Sequence, residues 1–212
     1  DVLRIWSGLG YNRRAKYLHD CAKIVIEKYK GLFPQDFNEL QQLPGIGRST
    51  AAALCSFAFG QSEPMIDTNI RRIICRVFFT PPLEGDHRKI ASLVARNDKA
   101  LYTFAKGLMP QGKGRDWNWA MMDVGAMFCK AKNHDDRCPF QKLHGKAGDF
   151  VYKKSQKKFK DSNRYYRGRI IALLQERSMD GNLKKICAKI KLSEKRSQII
   201  IKSLINDGLL IE

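Results

Sequence analysis

No stretch of this 212-residue chain approaches the roughly 20 consecutive apolar residues that a spanning helix needs, so nothing in it reads as a membrane protein. A signal-peptide pattern is missing as well, and the expected location is cytoplasmic, at the nucleoid if the source is bacterial. Acidic residues are scarce. Only 21 Asp and Glu stand against 39 Lys and Arg, which leaves a net charge of +18 and a pI near 9.8. That imbalance says nothing about fold, but it favours a polyanionic partner, with nucleic acid ahead of an anionic membrane surface. A cysteine framework is lacking too. Cys21, Cys55, Cys75, Cys129, Cys138 and Cys187 are scattered, most on apolar helical faces, and read as buried thiols in a reducing compartment. No segment sustains period-2 alternation, so the predicted class is all-α. The chain opens at Asp1, in what reads as the middle of a domain.

What is present is helical periodicity. Leu18, Cys21, Ala22, Val25, Ile26 and Tyr29 follow one stripe, which Gly31 stops. A short helix over 38–43 leads into Leu43-Pro44-Gly45-Ile46-Gly47, and an apolar helix over 49–59 follows, closed by Gly60. Ile70, Ile73, Ile74, Val77 and Phe78 form another stripe, and 117–128 reads as a further buried helix. The segment 151–169 differs in kind, with eight Lys or Arg against one Asp and with Phe159, Tyr165 and Tyr166 interleaved. It reads as a basic linker. Beyond it, helical stretches over 168–177, 183–190 and 194–206, then a glycine turn and a short apolar run, suggest a small winged-helix-like module whose recognition helix carries Lys195, Arg196 and Lys202. The expected domains are 1–148, a linker over 149–167, and the module over 168–212.

Two local patterns carry chemistry. In Leu43-Pro44-Gly45-Ile46-Gly47-Arg48-Ser49 the glycines permit a tight hairpin and close approach of a ligand. The helix that follows offers unpaired N–H groups to a phosphate. Such an element grips backbone without reading bases. Downstream, Pro64-Met65-Ile66-Asp67-Thr68-Asn69-Ile70-Arg71-Arg72 puts Asp67 at a helix N-cap. Backbone donors there hold a carboxylate ionised and aimed, as stabilising positive charge on a sugar requires.

Together these motifs resemble the helix-hairpin-helix (HhH-GPD) DNA glycosylase superfamily over residues 1 to about 140. Trp6-Ser7-Gly8-Leu9-Gly10-Tyr11, Arg14-Ala15 through Leu18, Asn118, and Ala120-Met121-Met122-Asp123-Val124-Gly125-Ala126 are similar to its adenine-removing, MutY-type branch. The resemblance implies a helix-hairpin-helix glycosylase fold. It implies that Asp67 is the catalytic aspartate, that Asn69 assists around a flipped nucleotide, and that Tyr11 wedges into the base stack. It further implies DNA contacts from Arg14, Gly45, Gly47, Arg48, Ser49, Arg71 and Arg72, with a monovalent cation at the hairpin. Position 49 separates the branches. A lysine there would form a Schiff base, and a tyrosine is expected in the thymine-mismatch branch; Ser49 can form no imine and fits a monofunctional adenine enzyme.

The chain departs from that family in three respects. The branch's general acid is a glutamate preceding the region where this chain starts, so the fragment should bind DNA but scarcely react. The family's iron–sulfur loop reads Cys-x6-Cys-x2-Cys-x5-Cys, whereas only Cys129 and Cys138 remain here. Two thiolates cannot hold a four-iron cluster, so the cluster is expected to be absent. His134 and His144 are the residues that would complete a zinc site with the cysteines, but the expectation is a loop closed by packing and charge, with no metal. The lesion-reading C-terminal domain is replaced by the basic tail. The resulting expectation is a monomeric glycosylase acting on mispaired adenine in double-stranded DNA. The alternatives are a thymine or uracil mismatch glycosylase, or a non-catalytic DNA-binding protein. Deleting everything after Gly148 is expected to weaken the salt-dependent grip while sparing mismatch preference.

Overall fold

The computed structural model describes residues 2–6, 9–79, 97–130, 135–143, 158–175 and 182–210. They form ten α-helices: α1 (Val2–Ile5), α2 (Arg13–Tyr29), α3 (Phe37–Gln41), α4 (Arg48–Ala53), α5 (Thr68–Phe78), α6 (Asp98–Leu108), α7 (Gly114–Met127), α8 (Asn163–Gln175), α9 (Leu183–Lys189) and α10 (Glu194–Asn206). No strand occurs among the described residues, in keeping with the all-α expectation. Packing divides the chain into two units, one joining Asp1–Leu32 to Lys154–Glu212 and the other running Phe33–Lys153. The boundaries expected from the sequence are at 148 and 167.

The central unit is built on α5. Its stripe reads as expected except at Phe78, which is exposed: Ile70, Ile73, Ile74 and Val77 are buried, and each fully buried Ile contributes roughly 1.5–3 kcal/mol. They pack with Ala52, Met65, Leu101, Ala105 and Met121 from α4, α6, α7 and the loop before α5. The α4 helix continues as a π-helical turn over Leu54–Ala58, and α5 lies chiefly against α7. Helix α6 was not anticipated. It begins at Asn97, whose side chain accepts the N–H groups of Lys99 and Ala100.

In the other unit, α2 ends where Lys30 turns left-handed (φ +54) and the N–H groups of Lys30 and Gly31 both reach the Val25 carbonyl. The stripe read from the sequence is wider than the buried face: Cys21 and Val25 are buried, but Leu18 and Ile26 are exposed. The tail forms three helices around Ile170, Leu173, Ile186, Ile200, Leu204 and Leu209, and Leu3 packs into the same cluster. Helix α8 starts at Asn163, so residues 163–167, expected in the linker, are helical; 149–157 lie outside the described residues. After α10, Gly208 makes a left-handed turn (φ +64) before Leu209 and Leu210.

Candidate active site

Asp67 caps α5. Its Oδ1 accepts the N–H groups of Asn69 at 2.9 Å and Ile70 at 2.7 Å, while the residue is only half-buried. Both cap bonds fall on one oxygen, which leaves Oδ2 without a protein donor among the described residues. The N-cap is a fixed seat for a carboxylate, because two first-turn N–H groups need an acceptor and the helix dipole favours negative charge there.

The loop delivering Asp67 is clipped from three sides. Ser49 Oγ, on the first turn of α4, donates to the Ile66 carbonyl at 2.7 Å. Asn118, fully buried on α7, accepts the Met65 N–H at 2.9 Å and donates to Ser56 Oγ at 2.9 Å and to the Glu63 carbonyl at 2.8 Å. From α6, the Tyr102 hydroxyl donates to the Glu63 carboxylate, and Lys106 Nζ donates to that carboxylate and to the Ser62 carbonyl, both at 2.5 Å. Gly114 lets the loop approach α7, since a Cβ there would lie 2.6 Å from Ser62 Cα. Gly125 does the same for Asn69, whose Cβ would lie 2.6 Å from a Cβ at position 125. Asn118 and the α6 anchors were missing from the residues singled out as the site. The run around Asn118 was legible as a motif, but its role as a buried clip was not.

The hairpin has the expected glycine geometry. Gly45 is left-handed (φ +78), and Gly47 is the extended N-cap of α4, with no side chain over the first turn. The nearby cations are less available than their charge suggested. Arg48 lies 4.2 Å from the Tyr102 ring centroid and 5.7 Å from that of Phe37, with its Nε buried and without a hydrogen-bond partner among the described residues. Arg71 pairs with Asp98. Arg72 donates to the carbonyls of Cys129 and Gly125 and to Asn69 Oδ1, at 2.5, 2.8 and 2.8 Å. Arg72 thus braces α5 against α7 and orients Asn69, rather than presenting its charge outward.

The cysteine loop does not fit a four-iron cluster. Cys129 and Cys138 are buried, and Cys129 Sγ accepts from Arg76 Nη1 at 3.1 Å. Arg76 also donates to the Lys130 carbonyl at 2.9 Å, so a guanidinium ties this corner together. Burial pushes the Cys138 thiol up and, on α5, pushes Cys75 up to about 11. Among the described residues no three His, Cys, Asp or Glu side chains gather as metal ligands. His134 and His144 lie outside those residues.

In the terminal unit, Tyr11 precedes α2 in a left-handed conformation (φ +49) with 64% of its surface exposed. Arg164, on α8, lies over its ring at 5.7 Å and donates to its hydroxyl at 3.3 Å. Arg14 lies over Trp6 at 5.5 Å. Tyr11 is thus in direct contact with α8 of the tail.

Residues 1–95 match the family described as HhH-GPD superfamily base excision DNA repair protein. The adenine DNA glycosylase of Buchnera aphidicola subsp. Acyrthosiphon pisum is 40% identical over 143 residues, 67% of this chain and 39% of that protein. That of Mycolicibacterium smegmatis is 31% identical over 180 residues, 83% of this chain and 58% of its own length. Among solved structures, a thermostable thymine-DNA glycosylase superposes with a TM-score of 0.60 at 32% identity, covering 69% of this chain and 64% of that one. The chain spans about half the length of the curated relatives it matches. On the hairpin, the capped aspartate and these likenesses, the chain is similar over residues 1–95 to the HhH-GPD superfamily of base excision DNA repair proteins and resembles its adenine DNA glycosylases.

Proposed function

We propose that this chain carries the sugar-stabilising and strand-gripping parts of a monofunctional glycosylase that removes mispaired adenine from double-stranded DNA. The observation that carries this reading is Asp67, capped through Oδ1 alone on a loop clipped by Ser49, Asn118 and Lys106. Hydrolysis breaks the C1′–N9 bond, the electron pair leaves with the base, and the sugar becomes oxocarbenium-like. Asp67 stabilises that positive charge electrostatically. Water then adds its oxygen to C1′, and the base takes up a proton from an acid that the described residues do not supply. Ser49 bonds to a backbone carbonyl and has no amine, so no imine step arises. The hairpin at Gly45 and Gly47 holds a backbone phosphate on first-turn N–H groups. The carbonyl oxygens of that turn are suitable donors for a monovalent cation, with no step of the reaction routed through it. Flipping a base out of the stack costs a few kcal/mol, least at a mispair, which supports selectivity for mismatches.

The likeness to a thymine-DNA glycosylase favours one second reading, removal of mispaired thymine. The test is Asp67→Asn in the full-length protein, assayed for base release from duplexes with a mispaired adenine and, separately, a mispaired thymine. Asn still caps a helix but carries no charge, so base release falls by about 10²–10³-fold or more, while mispair binding stays within a few-fold. Retained turnover overturns the assignment. Release of thymine in place of adenine selects the second reading.

A further inference from the structure

Helices α9 and α10 are joined by four residues, 190–193. Lys191 turns left-handed there (φ +53), and the Leu192 N–H reaches back to the Cys187 carbonyl at 3.0 Å. Ile186, Cys187, Ile190, Leu192, Ile200 and Leu204 line the inner side of the pair, and α8 packs against both helices. Two helices joined by so short a turn have the framework of a helix-turn-helix, whose second helix enters the major groove of duplex DNA.

The outward face of α10 suits that groove. Lys195, Gln198, Ile199 and Lys202 follow the i, i+3, i+4, i+7 spacing of one helix face and are all exposed, Ile199 to 55%. The opposite face buries Ser197, Ile200 and Leu204. The side chains of Lys195, Gln198 and Lys202 make no hydrogen bond or ion pair among the described residues. Arg196 behaves otherwise. It donates from Nε to Asn163 Oδ1 at 3.1 Å and from Nη2 to the Asp161 carbonyl, and it lies 4.8 Å from the Tyr166 ring centroid. It therefore fastens α10 to the start of α8, in contrast to the sequence reading that set it beside the two lysines. Residues 182–206 carry seven Lys or Arg against one acidic residue, Glu194. Lys184 and Lys185, exposed on the first turn of α9, extend this positive surface, and a polyanion is the partner it attracts. Between the lysines, Gln198 carries the donor and acceptor that match adenine N7 and N6 in the major groove, and an apolar side chain such as Ile199 fits the thymine methyl.

We propose that α9 and α10 form a further DNA-binding element, in which α10 lies in the major groove of fully paired duplex beside A·T pairs. Lys195 and Lys202 contact phosphates, Gln198 an adenine edge and Ile199 a thymine methyl, while α9 crosses the backbone through Lys184 and Lys185. Such an anchor holds paired DNA and needs no flipped base. The proposal rests on DNA being the partner in the functional reading and is independent of the reaction at Asp67.

The test is fluorescence anisotropy with the full chain and two labelled, fully paired A·T duplexes across a salt series. One is natural. In the other every adenine is replaced by 7-deazaadenine, which removes the N7 acceptor from the major groove and leaves the minor groove unchanged. Wild type should bind the natural duplex about threefold to tenfold more tightly, the effect of one lost hydrogen bond. Gln198→Ala should bind the two duplexes alike and keep the salt slope. Lys195→Ala combined with Lys202→Ala should flatten the slope of log K against log salt by about 1.8, two phosphate contacts. Lys195→Arg combined with Lys202→Arg should restore that slope, which guards against misfolding as the explanation. If wild type does not distinguish the duplexes, or Gln198→Ala distinguishes them as wild type does, α10 does not read the major groove. An unchanged slope in the double alanine variant takes the helix off the DNA and leaves its face to a protein partner. If the α10 variants behave like wild type while Asp67→Asn abolishes base release, this inference falls and the functional reading stands. If they behave as expected while Asp67→Asn still releases base, the assignment of Asp67 fails and the α10 element stands.

Discussion

Asn118→Ala is the sharpest test of how the site is held. The side chain is fully buried and makes three hydrogen bonds, two into the loop before Asp67 and one to Ser56 in the turn after α4. Truncation leaves the Met65 N–H without its acceptor, at a cost of roughly 1–3 kcal/mol for a buried orphan donor. The void from three missing heavy atoms adds about 1 kcal/mol. The Glu63 carbonyl is spared, because Ser56 Oγ also donates to it at 2.7 Å. The sum is about 2–4 kcal/mol, and at roughly 3–5 °C per kcal/mol for a unit of this size the melting temperature should fall by about 10 °C. Asn118→Asp keeps an acceptor for Met65 but loses both donors and turns a carboxylate towards the Glu63 carbonyl, so it should be at least as damaging. Ser56→Ala removes one of two donors to Glu63 and should cost only about 1 kcal/mol. Thermal melts of the three variants, followed by circular dichroism, give the ranking. A drop below about 3 °C for Asn118→Ala, or a larger one for Ser56→Ala, would refute the clip.

Two further outcomes follow from particular groups. Burial pushes the Asp207 carboxyl up, but Arg13 and Arg167 outweigh it and hold the group below its ordinary range. Its stabilisation is therefore full above about pH 4 and is lost as pH falls through the lowered native value. Wild type and Asp207→Asn should differ by about 1 kcal/mol at neutral pH, Arg13 being half-exposed, and converge in acid; a gap that persists there excludes the ion pairs as its source. Purified protein should be colourless and contain no stoichiometric iron, because Cys129 is engaged by Arg76 and only Cys138 accompanies it. A brown sample with four irons per chain would contradict that ligand count.

Much of the fold was legible where the signal is local. The α5 stripe and the Asp67 cap depend on neighbours within one turn, and both occur as read apart from Phe78 at the helix end, which is exposed. Helix α6 escaped because its buried face is only Leu101 and Ala105, interrupted by Lys106 and Gly107, so its best signal was the Asn97 cap. The first turns of α8 read as linker because their composition is basic. Yet Arg is a good helix former, and charge alone does not distinguish a tether from a solvated face. Long-range choices were illegible in principle. Nothing near Arg72 says that its donors turn to the carbonyls of residues 125 and 129, and nothing near Tyr11 announces Arg164, 153 positions away.

The sharing of one core by Leu3 and the tail cluster has a kinetic consequence. Helices α3 to α7 find most of their partners close in sequence and can condense early. The terminal unit cannot, because its two halves are made on either side of the whole central unit and close a loop of well over a hundred residues. Such closure is slow relative to local condensation, and apolar groups such as Ile170 and Leu204 stay unsatisfied until it happens. Folding of this chain should therefore be ordered, with the central unit first and the terminal unit last. The surroundings of Tyr11 are then the last part of the molecule to form and the first to be lost on partial unfolding.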